Sequence, residues 1–246
     1  MSGSLVIVGT GPGRPELMTP ATQAALAEAT DLVGYGPYLD RVPAAPGQCR
    51  HASDNRVEMD RARHALSLAA AGRRVAVVSG GDPGVFAMAA AVFEAVEAGE
   101  PAWRALDIRV EPGVTAMLAA AAEVGAPLGG DFCAISLSDN LKSWATIERR
   151  LKAAAEADFV IALYNPASKA RPHQLGEAFK LLRGCKVSET PVLFVRAAGT
   201  AEARVIATTL AVADATEADM RTLVIVGAST TRQVGRWIYT PRGARS

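Results

Sequence analysis

The chain has 246 residues, of which 50% are hydrophobic, and its 26 basic and 25 acidic side chains leave a net charge of +1. This length allows one large domain or two small ones with an ample core, and the composition is that of a globular protein and not of a disordered one. A nearly neutral charge argues against a large nucleic-acid interface, although it permits a local basic patch that binds a carboxylate-rich small molecule.

The cysteines and the hydropathy profile exclude several classes of protein. The three cysteines are odd in number and widely spaced, and they contain no CxxC pair. This pattern argues against a disulfide framework and against a zinc site. No charged-then-apolar signal segment opens the sequence, and the longest apolar windows are much shorter than a membrane span. We therefore expect free thiols in a cytoplasmic protein.

The three histidines predict no metal site. His64 falls in a predicted helix and is interpreted as a solvent-side residue, whereas His51 and His173 lie in or near loops. Neither loop histidine has a partner at the spacing along the chain that metal ligands commonly show. We therefore assign no metal ligands.

Short apolar runs alternate with helical patterns through the first half of the chain. Taken in order, the pattern predicts strand 5–8, helix 20–29, strand 32–33, helix 57–71, strand 75–78, helix 85–96 and strand 108–110. Apolar runs of this length between helices are typical of a parallel sheet whose two faces are both covered.

The second half repeats this alternation after the segment PGVTAMLAAAAEVGAP at 112–127. Its pattern predicts strand 133–137, helix 146–157, strand 159–164, helix 175–182, strand 192–195, helix 203–210, strand 223–226 and an edge strand 237–239. We therefore predict an α/β fold with two α/β domains, residues 1–116 and residues 117–246. We expect the second domain to complete a ligand site that the loops of the first begin.

The first loop, within LVIVGTGPGRPELMTP at 5–20, almost matches two nucleotide-binding fingerprints. A dinucleotide fingerprint needs a third glycine where Arg14 stands, and a P-loop needs a Gly-Lys pair, which this sequence lacks. Pro12 also removes a backbone donor that a phosphate cradle would use. Two interpretations remain, a tight turn without a ligand and a rigid loop at a strand end where open α/β sheets bind ligands.

Two further loops have a similar design. VVSGGDPGVF at 77–86 follows a buried strand, and Asp82 and Pro83 occupy the positions of a helix N-cap and first helical residue. Gly80 and Gly81 would let a ligand approach the backbone. EPGVTA at 111–116 again follows a strand, with Thr115 opening an alanine-rich helix. We expect the three loops to form one crevice.

The motifs GTGPG, GGDP and PGVTA, followed in order by LYNP, VRAAGT and TLVIVGAST, resemble those of the tetrapyrrole (corrin/porphyrin) methylases along essentially the whole chain. The resemblance implies a homodimeric enzyme that binds S-adenosylmethionine between two α/β domains. It places these residues around the cofactor: Pro12, Gly80, Gly81, Asp82, Val85, Thr115, Ala116, Asn165, Ala198 and Thr222. Asn165 stands where the uroporphyrinogen methylases commonly have methionine, which argues against that activity.

Two longer segments, VGYGPYLDRV at 33–42 and residues 135–171, are similar to the family members that methylate C-17 of precorrin-3B and contract its ring to give precorrin-4. Alternatives are the anaerobic route, whose substrate already holds cobalt, and another precorrin methylase. Uroporphyrinogen III, diphthine precursors or an RNA ribose are further substrates of the fold, and the near-neutral charge makes RNA the least attractive. A non-catalytic binder of S-adenosylmethionine or of a corrinoid is an alternative of a different class. The product could also pass directly to the next enzyme.

The implied chemistry suggests candidate residues at the predicted strand ends and loops. Methyl transfer requires alignment of the reacting atoms, and ring contraction would be helped by proton donors and acceptors. The catalytic candidates are Asp54, Asp139 and Tyr35, with Tyr38 and Ser136 as further options. The substrate carboxylates call for cations, and the candidates are Arg14, Lys142, Lys169 and Arg171. For each residue, ordinary packing or a solvated surface charge is the alternative.

Overall fold

The computed structural model describes residues 3–54, 57–168 and 170–243. The chain divides into two compact units, Met1–Ala116 and Met117–Ser246. Each unit contains a five-stranded sheet with helices, and the second has a further three-stranded sheet. The predicted α/β fold is confirmed.

The first unit is built on a parallel sheet. Its strands are β1 (Ser4–Gly9), β2 (Asp31–Tyr35), β3 (Cys49–Ser53), β4 (Arg74–Ser79) and β5 (Asp107–Glu111). Its helices are α1 (Pro20–Glu28), α2 (Gly36–Leu39), α3 (Glu58–Ala70) and α4 (Met88–Ala98), with 3-10 turns at Pro15–Leu17 and Pro101–Ala105. The strand order is β3-β2-β4-β1-β5, and every neighbouring pair is parallel. All five carboxyl ends therefore lie at one edge of the sheet.

The apolar runs are buried because helices cover both faces of this sheet. Leu5 and Ile7 of β1 pack with α3 and α4 in one core cluster. Val6 and Val8 face the other way and pack with Leu26 of α1 and with α2. The predicted parallel sheet is thus confirmed, whereas β3 was not predicted because its sequence, CRHAS, is a largely exposed and polar edge strand.

The second unit contains a mixed sheet. Its strands are β6 (Gly125–Ala126), β7 (Phe132–Ser136), β8 (Val160–Tyr164), β9 (Pro191–Arg196), β10 (Arg204–Thr209), β11 (Thr222–Val226), β12 (Arg232–Val234) and β13 (Trp237–Tyr239). Its helices are α5 (Ala116–Val124), α6 (Trp144–Glu156) and α7 (Gln174–Arg183), with a 3-10 turn at Ala215–Glu217. The main sheet has the order β10-β9-β11-β8-β7, in which only β7 and β8 pair in parallel. Ile147 of α6 and Phe179 of α7 pack on one face of this sheet.

Two predictions for the second unit are wrong. The segment 203–210 is not a helix, because Arg204–Thr209 forms β10 and pairs antiparallel with β9. Its sequence, RVIATT, is rich in β-branched residues, which suit a strand. The segment 237–239 is a strand as expected, but β13 lies between β12 and β6 and is therefore not an edge. In the described part of the chain, no helix has the length and hydropathy that a bilayer span requires.

A buried carboxylate, Asp31 at the start of β2, joins three elements of the first unit. Its side chain is 2% exposed and lies 2.7 Å from Nε of Arg73 and 3.0 Å from Nε2 of His51. The Thr30 hydroxyl donates to it as well. Burial alone would raise the pKa of Asp31, but hydrogen bonds from Arg73, Thr30 and His51 outweigh this effect and lower the pKa to about 2. Asp31 is therefore ionised at neutral pH.

This lowered pKa predicts a loss of stability in acid. The unfolded chain binds a proton at Asp31 more readily than the folded chain, so this contribution is complete above about pH 5 and falls as the pH approaches 2. We expect the wild type to lose about 1 kcal/mol more unfolding free energy than Asp31→Asn between pH 5 and pH 3. Urea unfolding followed by circular dichroism measures this difference. The exposed Asp107→Asn serves as the control, and equal losses in all three proteins would contradict the prediction.

Candidate active site

Three glycine-containing loops meet at the carboxyl edge of the first sheet. The loops follow β1, β4 and β5, which are neighbours in the sheet. The Gly11 amide donates to the Gly81 carbonyl at 3.1 Å, and the Gly81 amide donates to the Gly11 carbonyl at 2.9 Å. A Cβ at Gly113 would lie 2.3 Å from the Gly81 carbonyl oxygen, and one at Gly9 would lie 2.6 Å from the same atom. The expected convergence of the three loops is confirmed.

The glycines of this cluster have different roles. Gly9 and Gly113 are required because backbone packs against backbone. Gly81 instead has a φ of +66°, and a Cβ there would make only ordinary van der Waals contacts, at 3.7 Å or more, with the backbone of 114–116, so its need for glycine is conformational. Gly80 is covered on its Cβ side by the ring of Tyr38, whose nearest atom would lie 2.7 Å away. The space beside Gly80 is therefore filled by protein on that side.

Asp82 links the second loop to the third. Its carboxylate accepts hydrogen bonds from the Gly84 amide at 2.7 Å and from the Gly113 amide at 3.0 Å. The prediction that Asp82 caps a helix beginning at Pro83 is wrong, since α4 begins only at Met88. The carboxylate is engaged by loop amides instead, and it holds the two loops together through charge-assisted hydrogen bonds.

Buried threonines hold the same cluster in place. The Thr10 hydroxyl donates to the Ser79 carbonyl at 3.0 Å, and the Thr22 hydroxyl donates to the Gly9 carbonyl at 3.2 Å. Thr115, the residue immediately before α5, is 6% exposed. Pro12 and Val85, which were also expected near the cofactor, are partly exposed on the loops after β1 and β4. The cluster thus combines a rigid backbone with accessible small residues.

A second group of predicted residues lies at one edge of the main sheet of the second unit. Because β7, β8 and β9 run in one direction and β11 in the other, their carboxyl ends share an edge with the start of β11. Asn165 follows β8 and donates from Nδ2 to Oγ of Ser136 at 2.9 Å. Ala198 is buried after β9, and Thr222 begins β11 and donates to Asp219 at 2.8 Å. The structure therefore brings together the three cofactor candidates of this unit.

Backbone strain is concentrated at these loops. Positive φ angles at non-glycine residues in the described part of the chain occur at Phe86, Asp158, Asn165 and Ala197. Asn165 and Ala197 lie within the motifs LYNP and VRAAGT, and Phe86 lies three residues after GGDP. Asp158 follows α6. Such conformations cost about 1–3 kcal/mol each and are common at ligand-binding sites. The strain is thus an independent sign that these loops bind a ligand.

Two contacts of the second unit were not found by sequence reasoning. The Tyr164 hydroxyl accepts a hydrogen bond from the Met117 amide at 3.1 Å, and the Glu123 carboxylate accepts one from the Gly199 amide at 3.1 Å. The first contact joins α5 to the end of β8, and the second joins α5 to the loop after β9. The partners are 47 and 76 residues apart along the chain, so no local pattern could reveal them.

The catalytic candidates of the first unit lie at the same sheet edge as its glycine cluster. Tyr35 ends β2 and contacts Tyr38 edge-to-face, with ring centres 5.4 Å apart. Asp54 directly follows β3 and is exposed, and its carbonyl accepts a hydrogen bond from Arg61. Arg61 is 4% exposed and also donates to Ser53 at 2.8 Å, while burial lowers its pKa. Arg61 therefore fixes the backbone that carries Asp54.

Asp139 and Arg171, candidates for different roles, form an ion pair in the second unit. Nε of Arg171 lies 3.9 Å from the Asp139 carboxylate, and Nη1 donates to Oε1 of Gln174 at 3.3 Å. A hydrogen bond from Gln174, together with the charges of Arg171 and His173, lowers the pKa of Asp139. An ionised Asp139 can accept a proton but cannot donate one. Arg171 is engaged within the protein and is not a free cation.

The other substrate candidates differ in their surroundings. Arg14 is exposed on the loop after β1. Lys142 is half-buried before α6, and burial, with the charge of Arg150, lowers its pKa. Lys169 lies outside the residues that the structure describes. Across the described ranges, no group of three or more histidine, cysteine, aspartate or glutamate side chains is arranged to hold a metal ion.

Comparisons with known proteins identify the family of this chain. The sequence model of the tetrapyrrole (corrin/porphyrin) methylases matches residues 4–214. A precorrin-3B C(17)-methyltransferase of Sinorhizobium sp. is 59% identical over 98% of this chain and 97% of its own length. A crystal structure of the methyltransferase CobJ, 55% identical, covers 98% of this chain and 100% of its own chain with a TM-score of 0.95.

A more distant structure is informative about the ligand. The uroporphyrin-III C-methyltransferase of Thermus thermophilus, solved in complex with S-adenosylhomocysteine, is 25% identical to this chain. It matches 92% of this chain and 97% of its own chain with a TM-score of 0.69. That enzyme therefore has the same fold with a product of methyl transfer bound.

Proposed function

Because the chain belongs to the tetrapyrrole (corrin/porphyrin) methylase family, we propose that it transfers a methyl group from S-adenosylmethionine to C-17 of precorrin-3B, with ring contraction to precorrin-4 in cobalamin biosynthesis. The main support for this substrate is the 59% identity to a precorrin-3B C(17)-methyltransferase along nearly the whole length of that protein. The convergence of the three glycine loops supports the methyl donor independently of that relative.

The loop cluster fits S-adenosylmethionine better than a nucleotide phosphate. This cofactor carries a sulfonium cation and an adenosine and has no phosphate, so it needs backbone contacts and room instead of an anion-binding lysine. The cluster offers backbone groups without bulky side chains at Gly81, and the carboxylate of Asp82 adds negative charge. We propose that the loop cluster binds the cofactor and that Asn165, Ala198 and Thr222 are further cofactor-binding residues.

S-Adenosylmethionine supplies an electrophilic methyl group, and the reduced tetrapyrrole supplies an electron-rich carbon, so the protein needs no nucleophile of its own. The chain would position the reactants and move protons. Asp139, Asp54 and the Tyr35 hydroxyl are the proposed proton-transfer candidates in ring contraction, and the lowered pKa of Asp139 makes it a weak base unless substrate binding raises that pKa. Arg14 and Lys142 are the proposed partners of the substrate carboxylates, and they would fix the ring relative to the methyl group.

The decisive experiment incubates the purified chain with S-adenosylmethionine and precorrin-3B and follows products by mass and absorbance. We expect consumption of the donor and a methylated, ring-contracted product. Turnover only with the cobalt-containing substrate would assign the chain to the anaerobic route. Binding of both ligands without turnover would instead identify a carrier, and thus reject the proposed activity.

Asn165 allows a finer test of the cofactor site. Replacing it with alanine removes the hydrogen bond to Ser136 and places a less tolerant residue at a φ of +52°. We expect Asn165→Ala to bind S-adenosylhomocysteine about threefold to tenfold more weakly, as measured by calorimetry. Asn165→Gly keeps the backbone conformation and should lose less affinity. Unchanged affinity in both variants would place Asn165 outside the site.

We propose further that the enzyme is a cytoplasmic homodimer. All three cysteines are free thiols, as suits a reducing compartment. Phe93 of α4 and Phe132 of β7 are large apolar side chains that are 49% and 44% exposed, and a dimer interface could bury such residues. Sedimentation that finds only monomer at micromolar concentration would reject the dimer.

A further inference from the structure

Two histidines face each other in the first unit, away from the glycine cluster. His51 belongs to β3 and His64 to α3, and Nδ1 of His51 lies 3.1 Å from Nε2 of His64. Both side chains line a pocket of about 340 Å³ together with Ser53, Val57 and Asp60. The sequence did not suggest this pair, because 13 residues separate the two histidines across a strand-to-helix connection.

The protonation of His51 follows from its other partner. Nε2 of His51 lies 3.0 Å from Oδ1 of Asp31, which is a buried carboxylate and can only accept a hydrogen bond. Nε2 must therefore carry a proton. In the neutral ring, Nδ1 then carries the lone pair, which faces Nε2 of His64 and accepts its hydrogen bond when no ion is bound. A carboxylate that orients a histidine from behind in this way is the usual arrangement behind metal-bound imidazoles.

The geometry of the two rings suits a shared ion better than a straight hydrogen bond. At this N···N distance, a straight N–H···N bond would separate the ring centres by about 5.4 Å. The observed separation is 4.8 Å, with the ring planes 60° apart, so the rings are bent relative to the line between the nitrogens. A metal ion about 2.0–2.1 Å from both nitrogens, with an N–metal–N angle of roughly 100°, reproduces both the N···N distance and the separation of the ring centres.

We propose that Nδ1 of His51 and Nε2 of His64 bind a divalent transition-metal ion such as Zn²⁺, Ni²⁺ or Cu²⁺, with water completing the coordination. Asp60 lies one helical turn before His64 on the same pocket, and its exposed carboxylate forms an ion pair with Nη1 of Arg63 at 3.4 Å, so any charge it lends to a cation is partly balanced. Arg61 also lines the pocket, but its guanidinium donates to Ser53, Met88 and the Asp54 carbonyl. The ion would join β3 to α3.

This proposal is independent of methyl transfer, and calorimetric titration of the metal-free full chain with Zn²⁺ at pH 7.5 tests it. We expect one ion per chain, about tenfold or more weaker binding in His51→Asn and His64→Asn, and a similar weakening in Asp31→Asn, which leaves both ligands in place. His173→Asn, in which the third histidine is replaced, should bind like the wild type. Added Zn²⁺ should also raise the thermal unfolding temperature of the wild type, whereas that of His64→Asn should stay unchanged.

Cys49 provides a further control because it lies on the same strand as His51 and its thiol is exposed. Binding that is lost in Cys49→Ser but kept in His64→Asn would overturn the two-histidine site. The absence of saturable binding, or equal affinity in the wild type and His64→Asn, would overturn it as well. Nitrogen hyperfine splitting from two imidazoles in the spectrum of the Cu²⁺-loaded chain is the supporting spectroscopic result.

Discussion

Replacing Gly81 with valine should lower the affinity for S-adenosylmethionine by about tenfold to a hundredfold while leaving most of the fold intact. Gly81 has a φ of +66°, which a β-branched residue adopts only at a cost of about 1–3 kcal/mol. We expect valine to shift the loop from the conformation that binds the cofactor, and each loss of about 1.4 kcal/mol in binding free energy lowers the affinity tenfold. A Cβ at this position would already touch the backbone of 114–116 at 3.7 Å, so the two further methyl groups of valine would press on the loop after β5.

Calorimetry with S-adenosylhomocysteine measures this loss, and circular dichroism checks the fold. Gly81→Ala should have an intermediate effect, since alanine is strained at the same φ but adds less bulk. Gly176→Ala is the matched control, because a Cβ at this position in α7 would meet nothing closer than 3.9 Å and no positive φ is involved. If Gly81→Val bound the cofactor like the wild type, the loop after β4 would be only a turn.

Replacing Asp82 with alanine should weaken cofactor binding by a similar factor for a different reason. The carboxylate accepts from two loop amides, Gly84 and Gly113, and hydrogen bonds to a charged acceptor contribute about 1.5–3 kcal/mol each before relaxation. Without them the loops after β4 and β5 lose their connection. The backbone contact between Gly11 and Gly81 remains, so the first and second loops should stay together.

Asp214→Ala is a matched control for this experiment. Asp214 likewise accepts a backbone hydrogen bond, from the Thr216 amide at 2.9 Å, but it caps a 3-10 turn in the second unit. Its replacement should change local stability without changing cofactor affinity. Asp82→Asn keeps one acceptor oxygen and should fall between the wild type and Asp82→Ala. Equal cofactor affinity in Asp82→Ala and Asp214→Ala would show that the connection between the loops is unimportant for binding.

The structure also changes what these residues mean for function. A helix cap at Asp82 would have acted only within its own loop, whereas the observed carboxylate spans two loops. Arg171 appeared to be a free cation for substrate, but it is paired with Asp139. A substrate carboxylate that reached Arg171 would compete with Asp139 for it. If the proposed roles of Arg171 and Asp139 hold, this ion pair would connect substrate binding to the protonation of Asp139.

Local sequence patterns determine many of the strands and loops of this protein and indicate its family. Buried runs such as Leu5–Val8 predict strands because only a doubly covered sheet can bury them, and β1 and β4 lie where these runs occur. Small-residue loops after such strands predict a ligand edge. The ordered motifs along the chain indicate the family and its methyl donor without any coordinates.

Tertiary structure alone decided which distant groups meet. The segment Arg204–Thr209, within the helix predicted for 203–210, is a strand that pairs antiparallel with β9. The bond from Asp82 to Gly113 spans 31 residues, and the contact between His51 and His64 spans 13. Such contacts depend on the order in which strands pair and on which helix faces cover them. Hydrophobic periodicity reports only whether a side chain is buried, and it does not identify the residue against which that side chain packs.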